Sequence, residues 1–250
     1  MCPECNGTGW KIVERDDVEG AVRCGCVAVE RAGHVESEAN IPPLYSNASF
    51  ENFSLRHDND IAYRDLTTVF MLVRGYAREF PNTKQPGLLL MGDPGTGKTH
   101  LAVAAFRTLM QKGFEGRFFD YQTLLSQIRS GYDSNSNSSD REAYREAIDK
   151  DVVLLDDLGA HRVTDWVEDT VTSIITSRCN LGKPLIATTN LIDPDVGYVT
   201  YTKTPEGKTD YRTTLAERIG SRARSRLFEM CRVIKMPLVR DFRLRKQTEP

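Results

Sequence analysis

Eight consecutive residues, Gly92, Asp93, Pro94, Gly95, Thr96, Gly97, Lys98 and Thr99, carry the most specific chemistry in this 250-residue chain. They fit G-x-x-x-x-G-K-[ST], the pattern of a loop that cradles phosphates. A triphosphate needs many donors close to its oxygens. Gly95 and Gly97 let the backbone curl so that several N–H groups point inward, and the positive end of a following helix adds to the field. Lys98 has the reach for the β- and γ-phosphates, and the Thr99 hydroxyl suits Mg²⁺. The competing reading is a Gly/Pro-rich turn that matches by chance. The flanks argue against it. Residues 87–91 are a short apolar run that predicts a buried parallel strand, and residues 100–110 predict a helix that ends before Gly113.

A second group lies at 151–159, where four apolar residues lead into Asp156 and Asp157. A buried strand would deliver both carboxylates to the mouth of an open α/β sheet, where ligands bind. Asp156 is then placed to hold the Mg²⁺ shell, and Asp157 to orient or activate an attacking water. A surface turn after a strand, where Asp is common, is the alternative. Asn190 closes a third strand-like run, 183–190, and its amide would sit beside the acidic pair to meet the γ-phosphate or the water.

Four of the six cysteines, Cys2, Cys5, Cys24 and Cys26, fall in the first 26 residues. Two thiolate pairs on two turns can form a tetrahedral zinc site, and the hairpin-like stretch between them has too little core to fold without help. The second pair is C-x-C where C-x2-C is commoner. A redox C-x-x-C pair is the other reading, but no thioredoxin-like pattern follows it. His34 is a conceivable substitute ligand.

The remaining elements must position these groups. Two prolines, Pro42 and Pro43, mark a boundary after the cysteine segment. Phe50, Phe53 and Leu55 enter the main core, and 60–80 reads as an amphipathic helix stopped by Pro81. Further on come a strand over 116–121 and a helix over 122–129. A small polar loop over 133–139 leads to a helix capped by Asp140, and a long helix spans 164–180. Residues 194–214 read as a long loop or hairpin. Its Tyr198, Tyr201, Tyr211, Lys203 and Lys208 suit either single-stranded nucleic acid or plain solvent exposure.

Residues 215–230, read as one helix, stack Arg218, Arg222 and Arg226 at i, i+4 and i+8. Three guanidiniums in a row repel one another unless they meet anions. Two readings are open: an arginine finger reaching the γ-phosphate held by a neighbouring subunit, or a solvated or nucleic-acid-facing basic face. A strand over 232–236, then Asp241-Phe242-Arg243 and a basic tail, close the chain.

Net charge is -2, which excludes a global pull toward nucleic acid or membrane. The charge is uneven: residues 211–250 hold eleven Lys/Arg against four Asp/Glu, and residues 1–45 hold four against eight. No apolar run reaches the length of a membrane span and no signal peptide is evident, so a cytoplasmic protein with reduced cysteines is expected.

The ordered set GDPGTGKTH, LLDDLG, ATTNL, ERIGSRARSRL and DFR resembles the DnaC/DnaI family of replicative helicase loaders. That family belongs to the AAA+ class and is related to DnaA and to the IstB transposition helpers. The resemblance covers roughly residues 41–245. It implies an ATPase with Lys98 and Thr99 on phosphate and Mg²⁺, Asp156 and Asp157 as the Walker B pair, and Asn190 as sensor 1. It also implies Arg222, with Arg226 second, as the trans-acting finger. The cysteine head resembles the DnaI-like members, whose zinc-binding N-terminal domain grips the helicase. A full lid domain is not expected, and sensor 2 has no assignment.

The expected architecture is therefore α/β: a five-stranded parallel P-loop sheet of AAA+/RecA type with helices on both faces, preceded by a small zinc module. Residues 1–45 would form the zinc-binding helicase-interaction module and linker, and 46–250 the ATPase domain. The expected partners are ATP, Mg²⁺, structural Zn²⁺, a hexameric replicative helicase, single-stranded DNA and further copies of the chain. An IstB-like ATPase assisting a transposase, and an adaptor that binds ATP without hydrolysing it, are the alternatives.

Overall fold

The structure, a computed structural model, describes residues 2–3, 5–6, 10–15, 18–23, 38–55, 59–130, 138–203 and 209–245. Cys24, Cys26, His34, Lys208 and residues 133–137 of the expected polar loop lie outside them. Between the two cysteine pairs, β1 (Trp10–Arg15) and β2 (Val18–Arg23) form the expected antiparallel hairpin, with Arg15 opposite Val18.

The main body is built on strands that are nearly all apolar. Helix α1 (Asp60–Glu79) leads into β3 (Gly87–Met91), α2 (Lys98–Gln111) and β4 (Gly116–Asp120). Helices α3 (Tyr121–Ser130) and α4 (Ser138–Asp149) precede β5 (Val152–Asp156), α5 (Asp165–Asn180) and β6 (Leu185–Thr189). A hairpin of β7 (Tyr201–Lys203) and β8 (Thr209–Tyr211) follows. Helices α6 (Leu215–Ile219) and α7 (Ser221–Met230), strand β9 (Cys231–Lys235) and the short α8 (Phe242–Arg245) complete the described chain.

Strands β4, β5, β6, β3 and β9 lie in that order in one sheet, and all pairings are parallel. Every residue of β3, β5 and β6 is buried, as expected for strands covered on both faces. Side-chain alternation divides the core in two. Leu88, Leu90, Leu154 and Ile186 pack with α1 and α2 on one face. Leu89, Met91, Leu155 and Ala187 pack with α3 to α7 on the other.

Local chemistry sets the helix starts. The Asn59 side chain accepts the Ile61 N–H at α1, and Thr164 accepts the Val167 N–H at α5. At α6, Thr214 and Glu217 form a reciprocal capping box. Opposite the mouth of the sheet, the buried Arg178 guanidinium donates to the carbonyls of Ala147, Ile148, Lys150, Asp151 and Pro184 at 2.6–3.1 Å. It thereby ties the end of α4 to the entries of β5 and β6.

Three expectations are corrected. Tyr121 opens a helix instead of ending a strand, with its ring buried in the core. Helix α4 starts at Ser138, two residues before Asp140. The arginine segment is two helices, not one. Gly220 stands between them at φ 82°, ψ 150°, a conformation open almost only to glycine. A Cβ there would lie 2.3 Å from Oε1 of Glu168 on α5. The i, i+4, i+8 stack of Arg218, Arg222 and Arg226 therefore does not form.

Candidate functional site

The parallel sheet brings the ends of β3, β5 and β6 to one edge, and the motif residues meet there. The loop after β3 runs directly into α2, with Gly97 at φ 89° as the residue preceding the helix. The Lys98 ammonium is buried and donates to the Asp93 carbonyl at 2.8 Å. Burial pulls its pKa down to about 8. Asp157, Asp156 and Asp93 oppose that shift, and Arg243 adds to it.

The Thr99 hydroxyl donates to Oδ1 of Asp156 at 2.9 Å, which joins the loop to the end of β5. Thr188 on β6 donates to the same oxygen at 2.6 Å and accepts the Asp157 N–H at 3.0 Å. Burial pushes the Asp156 carboxyl above its usual range. The Thr188 bond opposes this, the Asp157 charge adds to it, and the Thr99 bond opposes it again. Asp157 sits at φ 53°, a left-handed conformation uncommon for a residue with a side chain. Its carboxylate accepts from the exposed Asn190 amide at 3.0 Å. A hydroxyl and a carboxylate oxygen 2.9 Å apart suit a hard divalent cation such as Mg²⁺. The ammonium beside them, in a curled loop at a helix N-terminus, suits phosphate oxygens.

Several contacts to this site carry no local sequence signal. The Phe53 ring lies 2.7 Å from where a Cβ on Gly97 would stand. Asp241 crowds Gly95 in the same way, at 1.9 Å, and the Phe242 N–H donates to the Gly95 carbonyl at 3.1 Å. The DFR segment near the C-terminus thus lies against the phosphate loop. From the 194–214 excursion, Arg212 pairs with Asp93 at 3.0 Å and the Tyr198 hydroxyl donates to the Met91 carbonyl at 3.0 Å. Thr188 lay inside a recognised motif, yet its bonds to the acidic pair depend on how β5 and β6 stand side by side.

The arginines point in different directions. Arg218 turns onto the segment after Asp157 and donates to the His161 carbonyl at 3.3 Å. Arg226 is neutralised by Glu229 at 2.6 Å on its own helix. Arg222 is exposed and has no ion-pair partner among the described residues. Among the described residues no hydrogen bond joins Arg222 or Arg226 to the phosphate loop or the acidic pair.

At the N-terminus Cys2 is half-buried and Cys5 buried, and the Asn6 N–H donates to the Cys2 carbonyl at 2.9 Å. Among the described residues no group of three or more His, Cys, Asp or Glu side chains is gathered as for a metal, and Cys24 and Cys26 are not among them. No described helix is long and apolar enough to cross a membrane.

The family model for IstB-like ATP binding proteins matches residues 28–193. The replicative helicase loader DnaC of Escherichia coli K12 is 24% identical over 187 residues, 73% of each chain. The protein YqaM of Bacillus subtilis 168 is 26% identical over 179 residues, 68% of this chain and 54% of its own. Among solved structures, the DnaC helicase loader superposes with a TM-score of 0.60 at 26% identity, covering 78% of this chain and all of that one. AMPPCP-bound DnaA from Aquifex aeolicus shares the fold at 19% identity and a TM-score of 0.54, over 84% of this chain and 56% of its own.

Proposed function

The chain belongs to the IstB-like ATP binding protein family, and from that premise we propose that it is an ATP-dependent loader of a replicative DNA helicase. The observation that supports this best is the hydrogen-bonded set Thr99–Asp156–Thr188 and Asp157–Asn190 at the mouth beside Lys98. Likeness to the DnaC helicase loader over that protein's full solved length supports loading over the other uses of such a core.

In this reading, residues 46–250 are the ATPase domain. Backbone N–H groups of the loop Gly92, Asp93, Gly95, Thr96 and Gly97, bent by Pro94, which has no N–H of its own, hold the β- and γ-phosphates, with Lys98 as the cation. Thr99 and Asp156 would hold Mg²⁺, which when bound neutralises charge developing on the transferred phosphoryl group. Asp157 takes a proton from, or orients, the attacking water, and Asn190 fixes the Asp157 carboxylate. Arg222 reaches the γ-phosphate held by a second copy, so turnover by an isolated monomer is slow. Arg226 stands second in that role, since Glu229 occupies it. Residues 1–45 form a head in which Cys2, Cys5, Cys24 and Cys26 hold structural zinc and grip the hexameric helicase. The core also binds single-stranded DNA, and the protein acts in the cytoplasm.

A pull-down with the zinc-loaded full chain as bait and a purified hexameric replicative helicase as prey tests the loader reading. ATP-dependent capture that is lost on chelating zinc is the expected result. No capture in any nucleotide state, with retention of a transposase instead, overturns it. Steady-state hydrolysis with Lys98→Ala tests the site: an unchanged rate would refute the nucleotide assignment.

A further inference from the structure

Three residues beyond Asn190, the chain carries a carboxylate that this function does not use. Asp193 is buried, 1% exposed, at the start of the turn that leaves β6. Its partner is Arg224 on α7. Nε of Arg224 donates to Oδ2 of Asp193 at 2.8 Å, and Nη2 donates to Oδ1 at 2.6 Å. The same Nη2 reaches Oδ2 of Asp195 at 2.5 Å, and the guanidinium lies 4.0 Å over the Phe228 ring. A forked, stacked guanidinium on a buried carboxylate has one geometry, so it fixes direction as well as distance. By contrast, Arg226 reaches only an exposed glutamate on its own helix, a contact that orients nothing else.

The pair joins two parts of the proposed machinery. On one side, Asp193 follows the strand that presents Asn190 to Asp157. On the other, Arg224 is two residues from Arg222 on α7, and the two point apart, one inward and one to solvent. Gly220 breaks the backbone just before α7, and the helix is seated in the core by Ala223, Leu227 and Met230. Few other polar ties hold it: among the described residues of α7, the hydrogen bonds that reach another element through side chains are those of Arg224 and the long contacts of Gln85 to the Phe228 and Glu229 carbonyls, at 3.4 and 3.5 Å.

We infer that Asp193 and Arg224 are a positioning pair: they lock the arginine-bearing helix to the end of β6, so that Arg222 is presented to a neighbouring subunit in register with its own subunit's Asn190. The inference rests on the trans-acting role proposed above for Arg222. It assigns to Asp193 an effect on the neighbour's active site, not on its own.

Mixed subunits separate the two. Arg222→Ala protein keeps its own nucleotide site but donates no arginine. Lys98→Ala protein keeps its arginine but has no working site. Mixed one to one, they should recover hydrolysis that neither shows alone. Adding Asp193→Asn to the Lys98→Ala donor should lower that recovery by about ten- to a hundredfold, the loss expected when a catalytic group shifts by about 1 Å. Adding it to the Arg222→Ala acceptor should change recovery by less than about twofold, because Arg222 is already absent there. Arg224→Lys in the donor keeps the charge and loses the fork, and should give a partial loss. Asp193→Asn alone should bind a non-hydrolysable ATP analogue as the parent does, which shows it is folded. No recovery in the parent mixture refutes the trans-acting reading and this inference with it. Recovery in the parent mixture that survives Asp193→Asn in the donor refutes the inference alone. So does an equal loss in the donor and acceptor arms.

Discussion

The phosphate loop with its acidic pair and the arginine segment over 215–230 were read from the same kind of signal, residue types at fixed spacing. They fared differently as geometry. Lys98 and Thr99 lie where Asp156 can be met, with the Thr99–Asp156 bond at 2.9 Å. The arginines separate onto two helices, with Arg218 folded onto the His161 turn, Arg222 in solvent and Arg226 on Glu229. The difference lies in what each pattern needs. The loop is a backbone conformation written within eight residues, and the acidic pair is delivered by a strand whose apolar run admits only a buried place. A row of side chains needs an unbroken helix, and one glycine against Glu168 ends it.

Variants can break or sharpen this contrast. The largest effect is expected at Arg222, where replacement by Ala should lower hydrolysis on the order of 10³-fold while analogue binding holds. Single-turnover and equilibrium binding assays measure the two separately. If Arg226→Ala costs as much, the local Glu229 pair does not matter and the contrast between the two arginines fails. Next is Arg178→Met, which strips five carbonyls of their donor and should cost about 3 kcal/mol of unfolding free energy in denaturant titration. A loss below about 1 kcal/mol would show that the entries of β5 and β6 are held by strand packing alone. Gly220→Ala should destabilise the chain by about 1–3 kcal/mol, because its backbone angles exclude a side chain. An unchanged melting temperature would mean that α6 and α7 can fuse into the continuous helix expected from sequence. Last, Arg226→Ala should lower turnover far less than Arg222→Ala does and leave the melting temperature where it is, since exposed pairs of this kind contribute little.

Much of the fold was legible because its strands are short apolar runs separated by helical periods, and a parallel order with helices on both faces follows from burial on both sides. The helices over 60–80 and 164–180 were legible for the same local reason, although their caps, Asn59 and Thr164, were not. The start of α4 was misplaced by two residues because Ser138, Ser139 and Asp140 are all able to begin a helix, and the choice among them is not local. At the site, Asn190 was legible only through its place after the acidic pair. Thr188, Phe53, Asp241, Arg212 and the Asp193–Arg224 pair were not legible, since each acts across 31 or more residues of chain or against a loop from a distant segment.

By itself, then, the sequence determined the local conformations that carry chemistry: the glycine-bearing loop ahead of a helix, the strand that ends in two carboxylates, and the membership in a nucleotide-binding architecture. Tertiary structure alone decided which hydroxyls hold those carboxylates, which end segment lies on the loop, and which arginine stands in solvent with no ion-pair partner among the described residues. The physical reason is that a backbone motif is stabilised by its neighbours in the chain. The direction of a charged side chain is chosen by whatever opposite charge or carbonyl the fold happens to bring within about 3 Å.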